Sequence, residues 1–126
     1  MKNGHTFDIG VILFLFGALW IITAIYSTRK GAGDFSYIGI TTIETTKSPE
    51  AWMSAHLSIK KSLIITGSLT TVSGLGLIIL SFLYSNTLLT YIGWIIFAAN
   101  IIFIIYVYIK ANNSAKNCTI DNKRYL

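Results

Sequence analysis

The chain is poor in cysteine, proline and charge, and each shortage narrows what it can be. Cys118 stands alone, so no intramolecular disulfide and no cysteine metal cluster can form. The single proline, Pro49, leaves the long Ile, Leu and Phe runs uninterrupted. Those runs lack the short alternating segments of a β-barrel and point to helices. Only 12% of the residues are charged, where a soluble domain carries about 25%. With 53% hydrophobic residues, the composition is that of an integral membrane protein. Acidic residues number 5 against 10 basic ones, giving a net charge of +5. The basic residues flank apolar runs and suit anionic lipid headgroups. Nucleic-acid binding needs a basic patch on a soluble face and is set aside.

What remains is three apolar stretches within one domain, residues 1–126. The first runs from about Ile9 to Tyr26, near the minimum length for a crossing. A signal peptide would have a shorter apolar core preceded by positive charge. Here Lys2 precedes, but Arg29 and Lys30 follow immediately and no small-x-small cleavage site stands at the end, so the stretch is read as a retained helix. Gly10 and Gly17, seven apart, allow a neighbouring helix to approach closely. The second span, about Leu63 to Tyr84, is rich in small and hydroxyl residues such as Thr66, Gly67, Thr70, Ser73 and Gly74. These favour tight packing between transmembrane helices. The third, about Leu88 to Ile109, follows the short turn Ser85-Asn86-Thr87, which predicts an antiparallel hairpin. Asn100 lies near its middle. An amide in hydrocarbon needs a partner, and the hydroxyls of the second span are the natural one. A contact to a ligand is the alternative role for this intramembrane polar residue. Residues 110–126 are polar and read as a mobile tail.

Lys and Arg set the expected orientation. One precedes the first span, five lie in the loop 27–62, none lies in the hairpin and four lie in the tail. Loop and tail therefore face the cytoplasm, and the N-terminus and the hairpin face outward.

The loop holds the only long stretch that is neither apolar enough for a bilayer nor featureless. From Ile38 it reads Ile-Gly-Ile-Thr-Thr-Ile-Glu-Thr-Thr-Lys-Ser-Pro-Glu-Ala-Trp-Met-Ser-Ala-His-Leu-Ser-Ile. Its β-branched first half disfavours an early helix start. Ser48-Pro49-Glu50 is a helix-start signal: a capping hydroxyl, a proline at the first position, and an acid at the positive end of the dipole. Trp52, His56, Ile59 and Leu63 then follow at helical spacing as one stripe running into the second span.

This pattern resembles the SdpI family of small bacterial membrane proteins. The family signature reads Gly-Ile-Arg-Thr, several residues, then Ser-x-x-x-Trp and a His or Asn shortly after. Here it stands as Gly39-Ile40-Thr41-Thr42, Ser48-Pro49-Glu50-Ala51-Trp52 and Ala55-His56. Thr41 replaces the usual arginine, so any role of that arginine is vacant or filled differently. The resemblance implies immunity to a secreted killing peptide, together with signalling by sequestering a repressor at the membrane. It implies a partner-binding surface of Gly39, Thr42, Ser48, Trp52 and His56, facing a toxin or a cytoplasmic regulator.

Catalytic chemistry has little to stand on. Glu50 and His56 are six apart and point to different faces of a helix. Neither Ser54 nor Ser58 lies three or four residues from His56. No phosphate loop is present. The chain is expected to be no enzyme and to need no metal or cofactor. The predicted architecture is all-α: three transmembrane helices, a cytoplasmic signature loop, and an amphipathic helix leading into the second span. Its expected function is non-catalytic immunity in the cell membrane. The other class is a small transporter or channel-like subunit, which would require a homo-oligomer to enclose a path and which the hydroxyls and Asn100 would line.

Overall fold

The computed structural model describes residues 4–29, 39–84 and 86–124, with side chains through Cys118. Lys2, Lys30, Ile38 and Ser85 lie outside the described residues. Three helices account for nearly all of it: α1 Gly4–Ser27, α2 Pro49–Leu83 and α3 Thr87–Arg124. No strand occurs among the described residues. All three helices are long and apolar enough to cross a membrane, and the chain is a multi-pass, all-α membrane protein. At 1.5 Å per residue, α2 and α3 each exceed 50 Å, roughly 20 Å more than a hydrocarbon core requires. Both therefore extend well beyond it.

The helix ends follow from local chemistry. Ser48 Oγ accepts from the Ala51 amide at 3.1 Å, so α2 starts at Pro49 as its capping signal requires. The run Ile40–Thr46 forms only a turn, with the Thr46 amide on the Thr42 carbonyl at 3.1 Å. Asn86 Oδ1 accepts from the Leu88 amide at 2.9 Å and caps α3 three residues after α2 ends. The third helix departs from expectation. Its polar end is not a loose tail, because α3 continues through it to Arg124. Val107, Ala111 and Ala115, spaced by four, are all buried there.

The chain divides into two compact units, one of Met1–Ile21 with Ile65–Phe103 and the other of Ile22–Ile64 with Ile104–Leu126. In the first, α1 and α2 run antiparallel with backbones in contact. Gly17 faces Gly67, and Gly10 faces Gly74. A methyl group added at Gly17 would lie 2.6 Å from the Gly67 carbonyl oxygen; one at Gly74 would lie 2.5 Å from the Phe14 amide nitrogen. Side chains larger than hydrogen do not fit. Ile9, Leu13 and Leu77 form the buried apolar cluster, with Leu89, Ile96 and Phe97 packed on it. Leu69, Val72, Ile95 and Ile102 are each about two-thirds exposed, as lipid-facing side chains are.

Asn100 finds the hydroxyl partner expected of it. Thr70 Oγ1 donates to its Oδ1 at 3.3 Å, and the Trp20 indole donates to the same oxygen at 3.1 Å. The amide nitrogen donates to the Ile96 carbonyl at 3.0 Å. One side chain thus ties together all three helices of this unit.

Two substitutions separate packing from polar pairing. Gly17→Ala should lower stability in detergent unfolding by about 1–3 kcal/mol through overpacking. Gly76→Ala, facing open space, should change it by less than about 0.5 kcal/mol. Asn100→Leu should cost about 1 kcal/mol; unchanged unfolding would show that the amide contributes nothing.

Candidate functional site

The second unit holds the signature loop. α1 ends at Ser27, and a helix end leaves carbonyls without partners. Thr28 Oγ1 turns back to the Ala24 carbonyl at 2.7 Å, and Ser27 Oγ to that of Thr23. The Ser27 carbonyl is met differently: the indole of Trp52 donates to it at 2.9 Å. Trp52 is 2% exposed. An indole N–H is a donor only, and a buried one requires an acceptor.

His56, one turn on, stacks against the Trp52 ring with centroids 4.1 Å apart. It is fully buried. Its Nε2 lies 2.9 Å from the Ile40 amide and its Nδ1 lies 2.8 Å from the Trp52 carbonyl. These partners fix the tautomer. An amide only donates, so Nε2 accepts; a carbonyl only accepts, so Nδ1 carries the proton. The neutral imidazole is the form that satisfies both. Burial pushes its pKa below the ordinary value of 6.5, while the bond to the Trp52 carbonyl opposes that shift.

Gly39 makes the docking sterically feasible. Its φ of +149° is disfavoured for residues with a Cβ. An added methyl group would also strike His56 and lie 3.1 Å from the Trp52 ring. Thr45, fully buried, closes the loop on itself: its hydroxyl donates to the Ile40 carbonyl at 2.9 Å and accepts from the Thr42 amide at 2.8 Å. Thr42 Oγ1 donates to Asn112 Oδ1 on α3 at 2.9 Å. Ser54 and Ser114 join α2 to α3, their hydroxyls 3.1 Å apart.

The residues Gly39, Thr42, Ser48, Trp52 and His56 are therefore gathered in one unit, but not as an outward surface. Trp52 and His56 form an internal junction that holds the loop, and Ser48 starts the helix that carries them. The outward face of the loop is Thr41, Ile43, Glu44 and Thr46. Asn100 belongs to the other unit. Ser27, Thr45 and Asn112 were not legible as site residues. Asn112 sits in the stretch read as a tail, where the four-residue spacing of Val107, Ala111 and Ala115 was the available sign of a helix. Among the described residues, no group of three or more His, Cys, Asp or Glu is placed to hold a metal ion.

Gly39→Ala should loosen the loop at a cost of about 1–3 kcal/mol, the usual range for a disfavoured backbone conformation. Acid should loosen it too. With the folded pKa of His56 depressed, its contribution is complete above pH 6.5 and is lost as pH falls through 6.5 toward the folded value. Exchange of the Ile40 amide, corrected for its intrinsic rate, should accelerate over that interval. Unchanged protection down to about pH 5 would contradict the role given to the imidazole.

Compared with known proteins, the chain matches no family model, no curated protein and no solved structure.

Proposed function

We propose that the chain is an SdpI-like protein of the bacterial cell membrane that gives immunity to a secreted or membrane-active toxin by binding, without catalysis. The observation that supports this reading is the convergence of the signature. Gly39 lies 13 residues before Trp52 and 17 before His56 in the sequence, yet the glycine is required by the two rings it touches. A spacing that arose by chance has no reason to close in this way. The junction then fixes an outward loop face of Thr41, Ile43, Glu44 and Thr46 on a rigid base for a toxin or a cytoplasmic regulator to meet. In this orientation loop and C-terminus are cytoplasmic, the N-terminus is outside, and Lys60 and Lys61 lie at the headgroups. The loop then meets a toxin that has entered the bilayer, or a partner on the inner side.

The carrier reading has one observation behind it, a recess of about 250 Å³ beside Thr66, Thr70, Ser73 and Asn100. The Thr70 hydroxyl and Asn100 are engaged with each other, and no Asp, Glu, Lys, Arg or His occurs between Ser62 and Ile109. Ion and solute paths ordinarily carry one. Immunity is the better supported of the two.

Reporter fusions after Thr46 and at the C-terminus should be cytoplasmic, and one at Asn86 external; an external Thr46 fusion overturns the orientation. Trp52→Ala and His56→Ala should each abolish growth protection against products of neighbouring genes while the protein still accumulates in the membrane. Full protection by either variant would remove that side chain from the mechanism, and solute flux in liposomes would favour the carrier.

A further inference from the structure

Beside the buried junction, the same unit carries an open groove of about 600 Å³. One wall is α3, where Tyr108, Asn112 and Lys116 follow at four-residue spacing and share a face. The other wall is the loop, with Thr41, Glu44 and Thr46. The Thr42–Asn112 hydrogen bond joins the two walls and occupies the amide oxygen, which leaves the Asn112 NH₂ as a donor. Among the described residues, neither the Tyr108 hydroxyl nor the Lys116 ammonium has a hydrogen bond or an ion pair. Three donor groups, one of them charged, thus line α3 without partners among the described residues. Across the groove Glu44 supplies a carboxylate, held among the described residues by a 3.5 Å contact to the exposed Lys47. Ile43, at the lip, is 86% exposed, which is unusual for so apolar a side chain.

The depth of the groove follows from the sequence. The uncharged run through α2 and α3 ends at Lys110, so Tyr108 lies where hydrocarbon gives way to headgroups. Lys116 lies eight residues further, about 12 Å along the axis. The headgroup layer is itself about 5–8 Å thick on each side, so the groove opens across it. A ligand there meets donors and a cation on one wall and an anion on the other.

We propose that the groove binds the headgroup of a zwitterionic phospholipid bearing a primary amine, that is, an ethanolamine phosphate ester. Tyr108, Asn112 and Lys116 donate to the phosphate, Glu44 accepts from the ammonium, and Ile43 rests against the glycerol and upper acyl carbons. The two charges select the class. A purely anionic headgroup leaves Glu44 facing negative charge, and a choline headgroup has no N–H to donate to it. The inference is independent of the immunity reading.

Native mass spectrometry of the full chain, purified in mild detergent and exposed to equal amounts of phosphatidylethanolamine, phosphatidylcholine and phosphatidylglycerol, tests it. Phosphatidylethanolamine should be retained several-fold over the other two. Glu44→Gln should erase the preference over phosphatidylcholine, and Lys116→Gln should lower retention of all three lipids. Lys61→Gln, a basic change outside the groove, should leave the pattern intact. Equal retention of the three lipids by the wild-type chain overturns the proposal, as does a preference that survives both groove substitutions. Soluble phosphoethanolamine at the same concentration should not displace the lipid; displacement would reassign the groove to a free phosphoamine and overturn the lipid assignment.

Discussion

A backbone carbonyl at a helix end needs a donor, and one buried away from water must find it within the protein. The end of α1 meets this constraint with the indole of Trp52, and much of the second unit depends on that contact. It brings the first turn of α2 against Ser27 and buries the Trp52 ring. The buried ring supports His56, whose two nitrogens bind α2's own backbone on one side and the loop on the other. The loop can approach only because residue 39 has no Cβ. Each step uses a group that the previous one has placed.

The first unit uses a different device. Without a hydrophobic drive between helices inside lipid, association relies on close contact and on a few polar pairs. Gly10 and Gly17 against Gly74 and Gly67 supply the contact, and Asn100 supplies the pairing. The seven-residue spacing matches on both helices, so two glycine pairs register the same antiparallel seam. The amide then fixes α3 against it.

Much of this was legible in the residues. Long uncharged runs gave three helices; Ser48-Pro49-Glu50 gave the start of α2; Gly10, Gly17 and the need of Asn100 for a hydroxyl were readable from spacing and polarity. The site was only half legible. The Trp52–His56 stripe was evident, but its direction was not, because an amphipathic stripe does not say whether its neighbour is a partner protein or the chain's own loop. That Trp52 reaches Ser27 depends on tertiary approach that local propensity does not encode. The polar end of α3 was misread for a similar reason. Its composition suggested solvent, while Ala111 and Ala115 needed only small size, not strong hydrophobicity, to pack closely there.

The junction turns on the His56 imidazole being neutral, protonated on Nδ1 and accepting a hydrogen bond at Nε2. Nitrogen-15 NMR of the histidine ring in the detergent-solubilised protein at neutral pH tests this most directly. The expected spectrum shows a protonated Nδ1 and a bare Nε2, correlated across a hydrogen bond to the Ile40 amide. A ring protonated on Nε2, or an imidazolium with both nitrogens protonated, would contradict it.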